Sequence, residues 1–137
     1  MREIKFRAWD GNKIIGTYND RQTFALDFSG NLFSYGHGNA PFPHYVQEDL
    51  VLMQLTGLRD KNGTPIYEDD IVKTENGIYQ VSWNQLHCAW CLFGLHGGME
   101  REIIADWITD EGKTPKRWEK SQWEVIGNVF ENPELLK

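Results

Sequence analysis

Apolar and polar residues alternate along most of this chain, and the alternation predicts strands. From Arg2 to Trp9, Ile4, Phe6 and Ala8 fall on one face and Glu3, Lys5, Arg7 and Trp9 on the other, which is the period of a half-buried strand. Asp10-Gly11 is a two-residue hairpin signal, and Lys13 to Tyr18 is the returning strand. Asn19-Asp20 turns the chain again, Phe24, Leu26 and Phe28 recur at period two, and Ser29-Gly30-Asn31 reverses the chain into Leu32 to Tyr35. The chain up to Tyr35 therefore reads as a β-meander. Gly36 to His44 has clustered breakers and no periodicity, so it is a loop and a candidate internal boundary.

Past that loop, Val51 to Leu55 leads into the stretch that organises the rest, Leu55 to Lys73. Asp60, Lys61, Asn62 and Gly63 are turn residues, because Asp and Asn bond their own backbone and Asn-Gly readily takes positive φ. Glu68-Asp69-Asp70 forms an acidic bend, and the β-branched pair Ile71-Val72 opens a strand. Asn76-Gly77 is a further hairpin turn with Ile78 to Trp83 as partner strand, and Cys88 to Leu95 is apolar enough for a strand covered on both faces. Met99 to Ile108 places Ile103, Ile104, Trp107 and Ile108 at helical spacing, which predicts a short amphipathic helix. Thr109 to Lys120 is a polar linker and Trp123 to Phe130 a last strand. Asn132-Pro133-Glu134 combines an N-cap residue, a first-position Pro and an acid, which predicts a terminal helical turn. The chain has no internal repeat and no low-complexity segment.

Three of these segments, TGLRDKNGTPIYEDDIV from Thr56 to Val72, REIKFRAWD from Arg2 to Asp10 and WEVIGNVFENPELL from Trp123 to Leu136, resemble the YopX family in family order. The stretches 11–50 and 84–120 match it poorly. The family comprises small proteins of phages and prophages, mostly of Gram-positive bacteria. The resemblance implies a mainly β protein containing a small barrel of the SH3 type, and it implies no catalytic residues. Relatives usually read E-G-D-I-V where this chain has Glu68-Asp69-Asp70-Ile71-Val72. Asp is among the few residues other than Gly that tolerate a left-handed conformation, so the bend can survive at Asp69.

Composition narrows the picture. The 137 residues make one core or two small subdomains, and the boundary at the loop would divide them as 1–44, the meander, and 45–137, the SH3-like barrel with a C-terminal extension. Aromatics at 13% argue against disorder, and a formal charge of −6 argues against the basic footprint of duplex DNA binding without excluding a local basic patch. No apolar run is long enough to span a bilayer and the charged start is unlike a signal peptide, so a cytoplasmic protein of the host cell with reduced thiols is expected.

Candidate chemistry is sparse. His87, Cys88, Cys91 and His96 share the first part of a zinc-knuckle spacing, but the fourth ligand position is Arg101 and no second Cys pair exists. Free, buried thiols on a core strand are the expectation, with no metal and no cofactor. Asp60 with Glu68, Asp69 and Asp70 fails the calcium-loop pattern because Pro65 stands where the sharp turn needs Gly, which leaves a solvated acidic bend. No nucleophile elbow, P-loop or dinucleotide motif occurs, so no enzyme activity is expected. Two basic aromatic islets remain, Lys5, Arg7 and Trp9 on the first strand and Lys113, Lys116, Arg117 and Trp118 in the linker. Interleaved cations and aromatics suit single-stranded nucleic acid, through stacking and phosphate pairing. The alternative is that Trp9 and Trp118 cover core edges while the cations keep the surface soluble. The functional expectation is a phage or prophage accessory protein acting as a non-catalytic module that binds a protein partner or self-associates. Binding of single-stranded nucleic acid is the rival, and membrane contact is not expected.

Overall fold

A computed structural model describes residues 3–16, 23–29, 32–35, 44–45, 50–96, 102–103 and 123–137. The chain divides into two compact units, one of Phe6–Met53 and one of Met1–Lys5 with Gln54–Lys137. The described elements are mainly strands, as the alternation predicts. In chain order they are β1 (Phe6–Trp9), β2 (Ile14–Ile15), β3 (Thr23–Leu26), β4 (Leu32–Tyr35), β5 (His44–Tyr45), β6 (Val51–Arg59), β7 (Pro65–Tyr67), β8 (Asp70–Thr74), β9 (Gly77–Asn84), β10 (Ala89–His96), β11 (Glu102–Ile103) and β12 (Glu124–Asn128), with a 3-10 turn at Pro133–Leu136.

In the Phe6–Met53 unit, β1 and β2 pair antiparallel with Ala8 opposite Ile15 and Trp9 opposite Ile14. The Asp10-Gly11 signal closes this hairpin: the Asp10 carboxylate accepts the backbone N–H groups of Asn12 and Lys13, each at 2.8 Å. Ala8 and Ile15 are buried, as the alternation requires. Ile4, assigned by period two to the same face, lies before the strand and is exposed. β3, β4 and β5 form a three-stranded antiparallel sheet in which Phe24 stands opposite Ser34 and Phe33 opposite Tyr45.

The other unit holds a five-stranded antiparallel sheet in the order β11-β10-β9-β8-β12. Its core packs Ile66, Val72, Tyr79, Val81, Leu92 and Trp123, with Leu58, Trp90 and Val125 partly buried against them. β6 pairs with β7, Leu55 opposite Tyr67 and Arg59 opposite Pro65. The Asn62-Gly63 turn between them takes the positive φ that its sequence suggests, with Gly63 at 81°.

The helix expected over Met99 to Ile108 is corrected at Glu102–Ile103, which lies in β11, with Ile103 opposite Cys91 and Glu102 opposite Leu92. Apolar residues at helical spacing also suit a short strand when β-branched, and pairing with the open backbone of β10 decides between them. The rest of that prediction, the linker, and the residues of the Gly36–His44 loop before His44 lie outside the described residues. The terminal turn forms at Pro133–Leu136 with Pro at its start, but Asn132 makes no side-chain cap to it. Its amide oxygen accepts the Asn128 N–H at 3.3 Å instead, and a Cβ on Gly127 would overlap that amide, so the close approach requires glycine.

Candidate functional site: a neutral aromatic hairpin end

The acidic stretch is where sequence draws the eye, and its carboxylates are taken up in holding the fold. Asp60 is buried, accepting the N–H groups of Asn62 and Thr64 at 2.8 Å each through Oδ1 and that of Val125 at 3.0 Å through Oδ2. Beside it, the Lys61 N–H donates to the Trp123 carbonyl at 2.9 Å. Burial alone would raise the Asp60 carboxyl; the N–H groups of Val125, Thr64 and Asn62 outweigh it and hold the group below its ordinary value. Asp70, 1% exposed, accepts the Tyr67 N–H at 2.8 Å. The solvated bend expected here is therefore corrected: the carboxylates of Asp60 and Asp70 substitute for strand pairing where the chain reverses.

Asp69 has φ of 63°, the left-handed conformation that the family's usual glycine suggests. It is fixed on three sides. Its N–H donates to the Val81 carbonyl at 2.8 Å, its carbonyl accepts the Val129 N–H at 3.0 Å, and its Oδ1 accepts the Gln80 amide at 2.9 Å. Glu68 is half-buried, and burial pushes its carboxyl up; the Gln54 N–H opposes the rise and the neighbouring Asp69 charge adds a smaller push.

The basic aromatic islets are only partly described. Lys5 is exposed and its ammonium pairs with the Glu3 carboxylate at 2.6 Å. Arg7 and Trp9 are half-buried on β1. Lys113, Lys116, Arg117 and Trp118 lie outside the described residues. Of the candidate cysteines, Cys91 is buried on β10, whereas Cys88 is exposed, which corrects the expectation that both are buried. Cys88 belongs to the β9–β10 turn, where its φ of 48° brings the chain back into β10. Among the described residues no group of His, Cys, Asp and Glu is arranged to hold a metal ion, and no helix is long and apolar enough to cross a membrane.

The surface that stands out is the far end of the β9–β10 hairpin. Tyr79 and Val81 on β9, with Leu92 opposite Val81 on β10, are 1%, 0% and 1% exposed and belong to the core. Two residues further along the same face, Trp83 stands opposite Trp90, and Trp83 is 42% exposed. Strand alternation thus carries the apolar face beyond the core that covers it. The two indoles meet edge to face, their centroids 5.2 Å apart at 75°. Trp90's indole N–H is shielded from solvent without an acceptor, so the ring contact and not a hydrogen bond seats it.

The turn beyond the tryptophans is tied down: the Asn84 carboxamide accepts the His87 N–H at 3.1 Å and the Cys88 thiol donates to the Gln85 carbonyl at 3.4 Å. Held on that turn, Leu86 is 83% exposed. From Asn76 to Met99 the sequence has no Asp, Glu, Lys or Arg, its longest run without one. A surface of two indoles and a leucine without Asp, Glu, Lys or Arg suits apolar contact. Sequence reading placed Trp83 on a strand and passed over it. The long neutral run in an otherwise charged chain was the signal that would have found it.

The fold and the sequence agree on a class of small, mainly β proteins. The model of the YopX family, described as YopX protein, matches residues 5–137, and the chain belongs to that family. Among solved structures, the crystal structure of protein yopX from Bacillus subtilis is similar with a TM-score of 0.61 at 20% identity, each chain covered in full. That of protein EF1440 from Enterococcus faecalis is similar with a TM-score of 0.52 at 23% identity, again with 100% of both chains covered. No curated protein matches.

Proposed function

We propose that this protein is a non-catalytic phage or prophage accessory module of the host cytoplasm, which acts by binding protein through the β9–β10 hairpin end. The observation that carries the reading is exposed Trp83, seated against half-buried Trp90, with exposed Leu86 on a hairpin free of Asp, Glu, Lys and Arg. Aromatic anchors on a preformed turn give large contact area at little entropic cost. The structural use of Asp60, Asp69 and Asp70 supports a non-catalytic role. The five-stranded sheet supports the small SH3-type barrel that the family resemblance implies.

The test is affinity purification from host cells with the wild-type chain and with a Trp83→Lys, Leu86→Lys variant, read by mass spectrometry. Proteins retained by the wild type and lost with the variant are the expected outcome; identical sets overturn the reading. Binding of single-stranded nucleic acid is the rival, and a titration against labelled oligonucleotides at two salt concentrations separates them. Phosphate contacts weaken steeply as salt rises, and an apolar protein contact does not.

A further inference from the structure

We propose that Asn76 is a site of spontaneous covalent modification, its carboxamide converted to aspartate and isoaspartate through a cyclic imide with Gly77, and that the fold protects Asn62 from the same reaction. The chain's Asn-Gly pairs are Asn62-Gly63 and Asn76-Gly77. In each, the glycine has no Cβ to obstruct its backbone nitrogen as it approaches the side-chain carbonyl carbon of the asparagine. The deprotonated nitrogen bonds to that carbon, the bond from the carbon to the amide nitrogen breaks, and ammonia leaves with the proton that the glycine gave up. Water then opens the imide at one carbonyl or the other, giving aspartate or isoaspartate, and is the only co-reactant.

Sequence makes the two sites equal and the structure separates them. Both asparagines are exposed, so access does not decide between them. The cost of freeing the glycine N–H does. The Gly63 N–H donates to the Asp60 carbonyl at 3.0 Å, and the Gly63 carbonyl accepts the Arg59 guanidinium at 2.9 Å. The Asp60 carboxylate holds the flanking N–H groups of Asn62 and Thr64 at 2.8 Å each and is itself tied to the Val125 N–H at 3.0 Å. Freeing Gly63 therefore disturbs a network that reaches β12. Asn76 instead shares with Glu75 the two-residue turn between β8 and β9, and Gly77 stands opposite Thr74 on the last rung of that hairpin. The bonds that hold this end are local: the Asn76 N–H donates to the Thr74 hydroxyl at 3.1 Å, and that hydroxyl donates to the Gly77 carbonyl at 3.4 Å. A terminal rung opens at less cost than a turn anchored to another strand, and a slow reaction follows the open population. Asn76 therefore reacts first. Its aspartate product sets a new negative charge beside Glu75, and its isoaspartate product lengthens the backbone of a turn whose strands carry Val72, Tyr79 and Val81 in the core.

Incubation of the full wild-type chain at neutral and at mildly alkaline pH, followed by peptide mapping with mass spectrometry, tests this, with a urea-denatured sample as reference. In urea the two sites should convert at similar rates. In the native protein, conversion at Asn76 is expected to exceed that at Asn62 by about tenfold or more, the ratio set by one or two additional hydrogen bonds in the opening step. It should also quicken as pH rises, because the attacking nitrogen must lose its proton. Asp60→Ala should speed conversion at Asn62 alone and leave Asn76 at its wild-type rate; a rise at both sites marks an unfolded variant, and the wild-type comparison then decides. Equal rates in the native protein, a faster reaction at Asn62, or an Asn76 that stays intact while the denatured chain reacts would each overturn the proposal.

Discussion

The acidic turn at Asp60 to Asp70 and the neutral end of the β9–β10 hairpin invert what their compositions suggest. The turn is crowded with carboxylates, a residue type often recruited for catalysis or metal binding, yet Asp60, Asp69 and Asp70 accept hydrogen bonds from this chain's own N–H groups and amide. The hairpin end has no charged group, yet it presents indole and leucine surface that no core residue covers. A polar group whose partners all lie within the fold is holding the fold, whereas large apolar side chains clustered in solvent mark a contact surface.

The largest expected effect breaks the comparison on the acidic side. Asp60→Ala removes the acceptor for three backbone N–H groups, those of Asn62, Thr64 and Val125. With each orphaned donor costing about 1–3 kcal/mol and water recovering part of the loss, a destabilisation of about 3 kcal/mol is expected, read as a shift in the urea midpoint. Unchanged stability would mean that the carboxylate is not structural.

Asp69 comes next. At φ of 63° a β-branched side chain is strained, so Asp69→Val should cost about 1–3 kcal/mol by denaturant midpoint. Asp69→Gly relieves the steric cost but adds unfolded-state entropy and loses the Gln80 contact, so its change should stay under about 1 kcal/mol. Equal shifts for Val and Gly would argue against the left-handed bend.

Acid titration sharpens the contrast between two neighbouring carboxyls. Asp60 lies below its ordinary value of 3.8, so its contribution to stability is fully present above that pH and is lost as pH falls through the lower folded value. Glu68 lies above its ordinary 4.5, so its contribution is present below that pH and is lost as pH rises through the raised folded value. Urea midpoints followed from pH 7 to pH 2 should therefore fall at the acid end. Asp60→Asn should flatten that fall, and Glu68→Gln should leave it in place while slightly raising stability at pH 7.

The smallest effect tests the other side. Leu86→Ser should move the midpoint by no more than about 0.5 kcal/mol, because an exposed turn residue contributes little to folding. A larger shift would make Leu86 part of the core and would remove the basis for reading the hairpin end as a docking surface.

Much of the fold was legible because its turns are written locally. Asp10-Gly11, Asn62-Gly63 and Asn76-Gly77 each encode a reversal in two adjacent residues, and the strands between follow from alternation. Glu102–Ile103 was misread because its state is decided by pairing with Leu92 and Cys91 of β10, outside the segment, and not by its own spacing. The burial of Asp60 was hidden for the same reason, since a donor that makes it structural belongs to Val125. The candidate site was legible only as an absence of charge. Whether Trp83 was covered depended on where the core ends, which no local pattern records.

The bond from Val125 to Asp60 spans 65 positions of sequence, and that separation has a consequence for the order in which the molecule is made. At roughly 5–20 residues per second, translation reaches Val125 about 3–13 s after Asp60. During that interval the Asp60 carboxylate can gather its local turn donors, while β8 has no β12 beside it and Asp69 has no Val129. The nascent chain therefore passes through a stage with turns already closed and one sheet edge still open. β12 closes it on emerging.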